Sequence, residues 1–309
     1  MSRNKPKKKK RKWLKVTGII LLLLVIGIGI YLYTVWHSLS TAVNNMHEPI
    51  ERQTSKRTDT LSLGDKEPFS VLMLGVDERD GDSGRSDTMI VLTVNPDKKS
   101  VKMLSIPRDT RTEIVGHGTT DKINHAYAFG GVPMSMDTVE NFLDIPIDYY
   151  MQINMEGFKD IVDSVGGVTV ENDLDFTYEG VHFAKGPVNL NGEDALKFSR
   201  MRYDDPRGDF GRQLRQRLII QAVIKEGASL NSLTNFDSIF EALSKNIKTN
   251  ITFDEMIDIQ SKYKAAASNI EQLTINGSGQ TINKVWYLIV DDTEKTKIQN
   301  ELKEHLDVQ

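Results

Sequence analysis

Three short segments hold residue types that work together on phosphate groups. The first runs from Gly75-Val76-Asp77-Glu78-Arg79 to Gly84-Arg85-Ser86-Asp87-Thr88, placing Asp77 just after one apolar run and Asp87 just before the next. Carboxylates at adjacent strand ends can converge on one hard cation such as Mg²⁺, which takes oxygen ligands and substrate phosphates. Taken alone, such a pair is more often a solvated hairpin loop, because turns are rich in Asp. The second segment, Ser105-Ile106-Pro107-Arg108-Asp109-Thr110, ends an apolar run on an arginine behind a rigid proline, and Asp121-Lys122-Ile123-Asn124-His125 follows it. The third is the densest, with six arginines in the eighteen residues from Arg200 to Arg217. A helix starting near Asp209 would set Asp209, Arg212 and Gln216 on one face, at i, i+3 and i+7. Clustered guanidinium groups bind phosphate oxygens bidentately and keep their charge, so they suit a diphosphate. An ion-paired surface helix is an equal reading of that segment by itself, since Asp204, Asp205 and Asp209 lie among the arginines.

The elements around these segments read as strands alternating with helices. Phe69–Val76, Thr88–Val94 and Val101–Ile106 are short, β-branched apolar runs, the second and third joined by the turn residues Asn95-Pro96-Asp97. Helices are expected over Met134–Leu143, Glu156–Val165, Asn191–Arg200, Phe210–Ala228, 235–248, 253–268 and from about 292. Strands are expected at Tyr149–Asn154, Gly167–Val170, Leu273–Asn276 and Val285–Val290. This alternation indicates a single α/β (α+β) globular domain with a central mixed sheet flanked by helices. Apolar helix faces such as Val139–Leu143, Phe158–Val165 and Leu218–Ile224 are either ordinary core or the lining of a lipid channel.

The charge is partitioned along the chain. The formal net charge is −4, yet the first fifteen residues carry nine basic side chains and no acidic one, leaving 30 basic against 43 acidic residues, a balance of −13, in the other 294. Val16–Trp36 follows, twenty-one residues without charge, long enough at about 1.5 Å per residue to span a bilayer core. Trp13, Tyr31, Tyr33 and Trp36 flank it as an aromatic belt. Residues 1–15 are therefore expected as a cytoplasmic tail, 16–36 as an uncleaved transmembrane anchor, 37–66 as a stalk or linker and 67–309 as one extracytoplasmic catalytic domain.

Several chemistries drop out. With no cysteine there is no thiol catalysis and no cysteine-ligated metal. Gly81-Asp82-Ser83-Gly84 imitates a serine-protease loop, but the histidines upstream of it, His37 and His47, border the membrane segment. No Walker loop, GxSxG elbow or HExxH occurs. A −13 portion repels nucleic acid.

Gly75-Val76-Asp77-Glu78-Arg79, Gly84-Arg85-Ser86-Asp87-Thr88-Met89, Ser105 to Thr110, Asp121 to Tyr127, Gly166-Gly167-Val168 and Arg200-Met201-Arg202 through Gly208-Asp209-Phe210-Gly211-Arg212-Gln213 together resemble the LytR-CpsA-Psr family, over residues 69–228. Gly75 to Asp82 and Asp204 to Arg212 are most similar to the family's ligases for wall teichoic acid in Gram-positive bacteria. The resemblance implies a phosphotransferase that moves a glycopolymer from undecaprenyl diphosphate to peptidoglycan, at C6 of N-acetylmuramic acid, and releases undecaprenyl phosphate. It implies Mg²⁺, with Mn²⁺ as an alternative, on Asp77 and Asp87. Arg108, Arg200, Arg202 and Arg212 would clamp the diphosphate, with Lys122, Asp209 and Gln216 completing the shell, and Arg85 or Asp87 are the candidates to deprotonate the acceptor. Two rivals remain at this level: a Mg²⁺-dependent polyprenyl-diphosphate pyrophosphatase, and a non-enzymatic wall-binding or regulatory attenuator.

Overall fold

A computed structural model describes residues 10–52, 55–76, 84–229 and 244–308. Its centre is a six-stranded mixed sheet with β11 (Ile247–Thr249) at one edge, in the order β11-β6-β1-β2-β3-β12. Strands β1 (Phe69–Val76), β2 (Ser86–Asn95) and β3 (Ser100–Ser105) form an antiparallel meander; β6 (Tyr149–Ile153) runs parallel to β1 and β12 (Ile270–Thr274) parallel to β3. The period-two alternation of the strands divides their side chains between two faces. On one face Leu72, Leu74, Met89, Val91 and Leu104 pack under two helices, α2 (His125–Leu143) and α7 (Asp292–Leu306). On the other, Val71, Val94 and Val101 meet Leu63, Tyr149 and Tyr263, the last just after α6 (Phe253–Lys262).

A second core lies beside the sheet. It joins three helices, α3 (Met155–Ser164), α4 (Gly192–Arg200) and α5 (Asp209–Ser229), to two strand pairs. These are β7 (Val168–Asn172) with β10 (Gly186–Leu190), and β8 (Phe176–Tyr178) with β9 (Val181–Phe183). Phe158, Val162, Val165, Leu218 and Ile219 belong to this core, whereas Val139, Phe142 and Leu143 belong to the core under α2. Of the apolar faces weighed above, that of α2 is core, whereas on α5 Ile220 and Ile224 stay half-buried and outside both cores.

Two expectations need correction. The helix expected over 235–248 ends by Asn246: Ile247–Thr249 is β11, pairing antiparallel with β6, because Ile247 and Thr249 bury alternate side chains at the sheet edge; residues 235–243 of that stretch lie outside the described residues. Residues 37–66 also do not stand off as a linker. Helix α1 (Lys10–Met46) carries the apolar stretch, with exposed side chains from Val16 to Tyr31, and is long and apolar enough to cross a membrane. It continues ten residues further, burying Val43 and Met46 against Ile153 and Ile247, while Trp36 meets Phe253 edge-on at 4.8 Å. The polar stretch that follows is used in ion pairs: Arg52 donates to Asp137 and Glu140, and Arg57 to Asp148. Polarity signalled solvation in the sequence, but complementary carboxylates on the domain take it up.

Helix α7 is tied to the meander through a buried histidine. His305 Nδ1 lies 2.7 Å from Thr93 Oγ1 and Nε2 lies 2.9 Å from Ser100 Oγ. Burial, reinforced by Lys102 and Lys98, pulls its pKa down from 6.5 to about 4. The imidazole is therefore neutral in the fold at neutral pH, and between pH 6.5 and about 4 the unfolded chain binds a proton that the folded chain refuses. Stability contributed by this group is complete above 6.5 and falls through that window by on the order of 3 kcal/mol. Urea unfolding followed from pH 7 to 4 is expected to show a flatter loss of stability in His305→Asn than in the parent; parallel profiles would contradict it.

Candidate functional site

The site forms where the meander meets the start of α5. Between β1 and β2 the register slips: Gly75 pairs with Thr88 but Val76 pairs with Ser86, leaving Asp87 as an extra residue. Such a β-bulge re-aims the side chain it carries, and Asp87 Oδ1 accepts a hydrogen bond from Arg108 Nη1 at 2.8 Å. Gly75 is needed for the close approach, since a Cβ there would stand 2.9 Å from Thr88 Cβ. Thr88 Oγ1 in turn accepts from Gln216 Nε2 at 3.0 Å, fixing the bulge against α5.

Arg108 comes from a tight turn at the end of β3. Thr110 N–H bonds to Pro107 C=O at 3.0 Å, and Leu288 N–H bonds to Asp109 C=O at 2.9 Å. Proline at the head of that turn has its φ preset. Asp109 is held by Lys122 Nζ at 2.5 Å, and Arg108 Nε lies 3.7 Å away from it. Lys122 is the last residue of β5 (Thr119–Lys122), which pairs with β4 (Arg111–Ile114).

The first two turns of α5 supply the opposite wall. Asp209 Oδ1 is 2.7 Å from Arg212 Nη2 and 4.0 Å from Arg202 Nε, and Asp209 Oδ2 accepts from Gln213 Nε2 at 2.8 Å. Arg212 is largely buried and its Nε has no hydrogen-bond partner; Asp209 Oδ1 makes its close ionic contact without hydrogen-bond geometry. Burial lowers the pKa of Arg212, Asp209 opposes that, and Arg108 and Arg202 press it further down. For Arg108, burial works against the charge, but Asp87, then Asp209 and Asp109, outweigh it and the pKa is raised. Arg108, Arg202 and Arg212 thus share one field, and with Lys122 they set four cations against Asp87, Asp109 and Asp209.

The remaining arginines of the dense segment have structural work. Arg215 and Asp205 form an ion pair at 2.6 Å with side chains 1 % and 0 % exposed, and Arg215 also donates to the carbonyls of Phe198 and Met201. Arg207 joins Asp205 at 2.9 Å to Asp173 at 2.5 Å. Together the arginines hold the Asp205 carboxyl well below the usual range, against the effect of burial. Gly211 makes this possible, because a Cβ there would sit 2.0 Å from Asp205 Oδ2. Arg217 is buried without a carboxylate partner among the described residues, donating to Ser105 Oγ at 2.8 Å and Gln272 Oε1 at 3.0 Å; burial lowers its pKa to about 10. It straps α5 to β3 and β12.

Of the residues expected at the site, Asp87, Arg108, Lys122, Arg202, Asp209, Arg212 and Gln216 converge. Arg200, the last residue of α4, is exposed and makes no hydrogen bond or ion pair among the described residues, and the exposed Arg85 precedes β2 in the same condition. Met201 between Arg200 and Arg202 is fully buried and leaves the helix extended, so the two arginines occupy different surroundings. Asp77 lies outside the described residues. Sequence reasoning did not assign Thr88, Asp109 or Gln213 to the site, although Gln213 is one turn from Asp209 and Asp109 adjoins Arg108. Nor did it assign Trp286, for which no local signal exists. A cleft of about 130 Å³ opens beside the cluster, lined by Pro107, Asp109, Arg202, Asp209, Phe210, Gln213, Trp286 and Leu288.

Comparison with known proteins gives a consistent picture. The LytR_cpsA_psr family model matches residues 33–304. The polyisoprenyl-teichoic acid–peptidoglycan teichoic acid transferase TagU of Bacillus subtilis is 51 % identical over 305 residues, 99 % of each chain. The crystal structure of B. subtilis TagU superposes with a TM-score of 0.64 at 49 % identity, covering 79 % of this chain and 99 % of that one. A structure of TagT bound to LIIa-WTA gives 0.72 at 32 % identity, covering 85 % and 100 %.

The division of the arginines can be measured. Arg215→Ala leaves the Asp205 carboxylate buried beside a lost partner and is expected to cost about 3–5 kcal/mol of stability. Arg212→Ala, which relieves crowding among cations, is expected to change stability by under about 1 kcal/mol. Urea titrations of both variants check this, and equal losses would contradict the division.

Proposed function

The chain belongs to the LytR-CpsA-Psr family, and from that premise we propose that it is a membrane-anchored transferase that attaches an anionic glycopolymer to peptidoglycan. The observation that carries the reading is the convergence of Arg108, Arg202 and Arg212 on Asp209, beside Asp87. Phosphoryl transfer asks chiefly for positioning and neutralisation of negative charge. Permanently charged guanidinium groups held by a turn, a helix face and a buried strap provide both.

In this reading the donor is a glycopolymer on undecaprenyl diphosphate, and the acceptor is the C6 hydroxyl of N-acetylmuramic acid. The bond from the sugar-bearing phosphorus to the oxygen of the lipid phosphate breaks, and one to the acceptor oxygen forms. The hydroxyl proton passes to a base, and undecaprenyl phosphate departs with the electron pair. Arg108, Arg202 and Arg212 bind the diphosphate oxygens, Lys122 holds Asp109, and Gln216 holds the bulge that presents Asp87. Arg85 and Arg200, exposed at the periphery, serve the substrate only if it extends to them.

Mg²⁺, or Mn²⁺ in its place, fits the carboxylate chemistry at the bulge. Asp87 is half-exposed, with one oxygen engaged by Arg108 and the other without a bond among the described residues; a free carboxylate oxygen suits a hard cation. Asp87 would hold the ion together with Asp77, and the bound ion would neutralise diphosphate charge. The nine basic residues before the anchor support an N-terminus at the cytoplasmic face and a domain outside, where the anchor would keep the site near a lipid-borne donor.

Arg108→Ala and Arg202→Ala are each expected to lower transfer by at least about 100-fold in kcat/KM with thermal unfolding unchanged. Full-length protein, a lipid-diphosphate saccharide and glycan oligomers provide the assay. A glycan-linked phosphodiester is the expected product; water-derived products alone would replace the transferase with a pyrophosphatase.

A further inference from the structure

The lining of the cleft beside the arginine cluster is of two kinds. Asp109, Asp209 and Arg202 are charged, and Phe210 and Trp286 are aromatic. Outside α1, six large apolar or aromatic side chains are exposed among the described residues: Phe129, Tyr203, Phe210, Ile257, Val285 and Trp286. Phe210 and Trp286 line this cleft, and Tyr203 and Val285 are chain neighbours of its residues Arg202 and Trp286. Exposure therefore concentrates at one place, where a clustered apolar surface signals a ligand.

Trp286 is set there by its hairpin. It lies on β14 (Val285–Ile289), paired with β13 (Ser278–Ile282), and with Leu288 two residues on it shares the face turned to the cleft. Gly279 on the facing strand leaves room for the indole, since a Cβ there would stand 2.8 Å from Trp286 Nε1. The intervening Tyr287 serves the other face, donating to Asp121 Oδ1 at 3.1 Å. Neither Phe210 nor Trp286 stacks on another aromatic ring among the described residues, although they are 42 % and 48 % exposed.

We propose that Phe210 and Trp286 form a saccharide platform that seats a hexopyranose of the acceptor glycan strand, with its hydroxyls on Asp109 and Asp209. This rests on the transferase reading and names a subsite for its acceptor. A pyranose ring presents polarised C–H groups on its face, matching the negative face of an aromatic ring, and hydroxyls at its edge, matching carboxylate acceptors. Carboxylate oxygens accept hydrogen bonds from the hydroxyls of a neutral sugar. Asp209 also contacts Arg212, so a sugar seated here has its hydroxyls next to the guanidinium cluster that would hold the diphosphate.

The chain contains three tryptophans, and Trp13 and Trp36 lie in α1. Full-length protein carrying Trp13→Phe and Trp36→Phe, in lipid nanodiscs, therefore leaves Trp286 as the reporting indole. Titration with a GlcNAc–MurNAc tetrasaccharide is expected to give a saturable emission shift, weakened about 10-fold by Phe210→Ala. In turnover, Trp286→Ala is expected to raise KM for glycan about 10-fold while leaving KM for the lipid-diphosphate donor within twofold. No shift with the tetrasaccharide, or a shift with a tail-less saccharide diphosphate instead, would overturn the assignment. So would an unchanged glycan KM in Trp286→Ala. Because the titration needs no turnover, a chain that binds glycan at Trp286 but transfers nothing would keep the platform and refute the transferase.

Discussion

The site depends on the burial of Arg215. A guanidinium cannot be withdrawn from water without an anion and hydrogen-bond acceptors, and Arg215 finds Asp205 and the carbonyls of Phe198 and Met201. That requirement folds the α4–α5 connection back onto α5. It fixes Arg202 one residue beyond a buried methionine and starts α5 at Asp209. Gly211 permits the approach by offering no Cβ to the Asp205 carboxylate. Arg217, two residues further along α5, ties the same helix to the sheet through Ser105 and Gln272. With one arginine on each side, α5 has little freedom to rotate. The face carrying Asp209, Arg212 and Gln216 is therefore held against the bulge of β2.

What is held there is a surplus of positive charge under strain. Arg212 is crowded by Arg108 and Arg202, has an unpartnered Nε, and shares Asp209 with a second arginine. Asp87 and Asp109 partly satisfy Arg108, and Lys122 shares Asp109. Such an arrangement is costly to an empty site and favourable to a dianion, since each added phosphate oxygen satisfies donors already desolvated. Preorganised charge of this kind needs no reorganisation when negative charge develops on the transferring group.

Much of this was legible in the residues. The strands of the meander and the start of α5 follow from β-branched runs and from the spacing of Asp209, Arg212 and Gln216. The dense arginine segment allowed two readings, an anion clamp and an ion-paired helix, and the structure contains both: Arg202 and Arg212 turn to the cluster, while Arg207 and Arg215 neutralise Asp205. Spacing could not separate them, because which carboxylate meets which arginine depends on a buried chain reversal. Trp286 was invisible for a different reason. It reaches the cleft from a hairpin about 75 residues beyond α5's first turn, and an isolated exposed tryptophan carries no periodic signal. The span 47–66 misled because charge pairing and solvation leave the same polar composition.

That last span changes how the anchor acts. A flexible linker over 37–66, about thirty residues, would let the domain sample a wide shell above the bilayer, diluting it with respect to anything confined there. Instead α1 continues about 15 Å past Trp36 as helix and ends in the domain's own packing, Val43 and Met46 against Ile153 and Ile247. Arg52 and Arg57 then fasten the next residues along α2 and the start of β6. Packing and ion pairs tie the end of the helix to the domain, so the run between them does not behave as a free chain. On the proposed reading, with a donor held in the bilayer and an acceptor polymer outside it, that restraint makes the linkage part of substrate positioning.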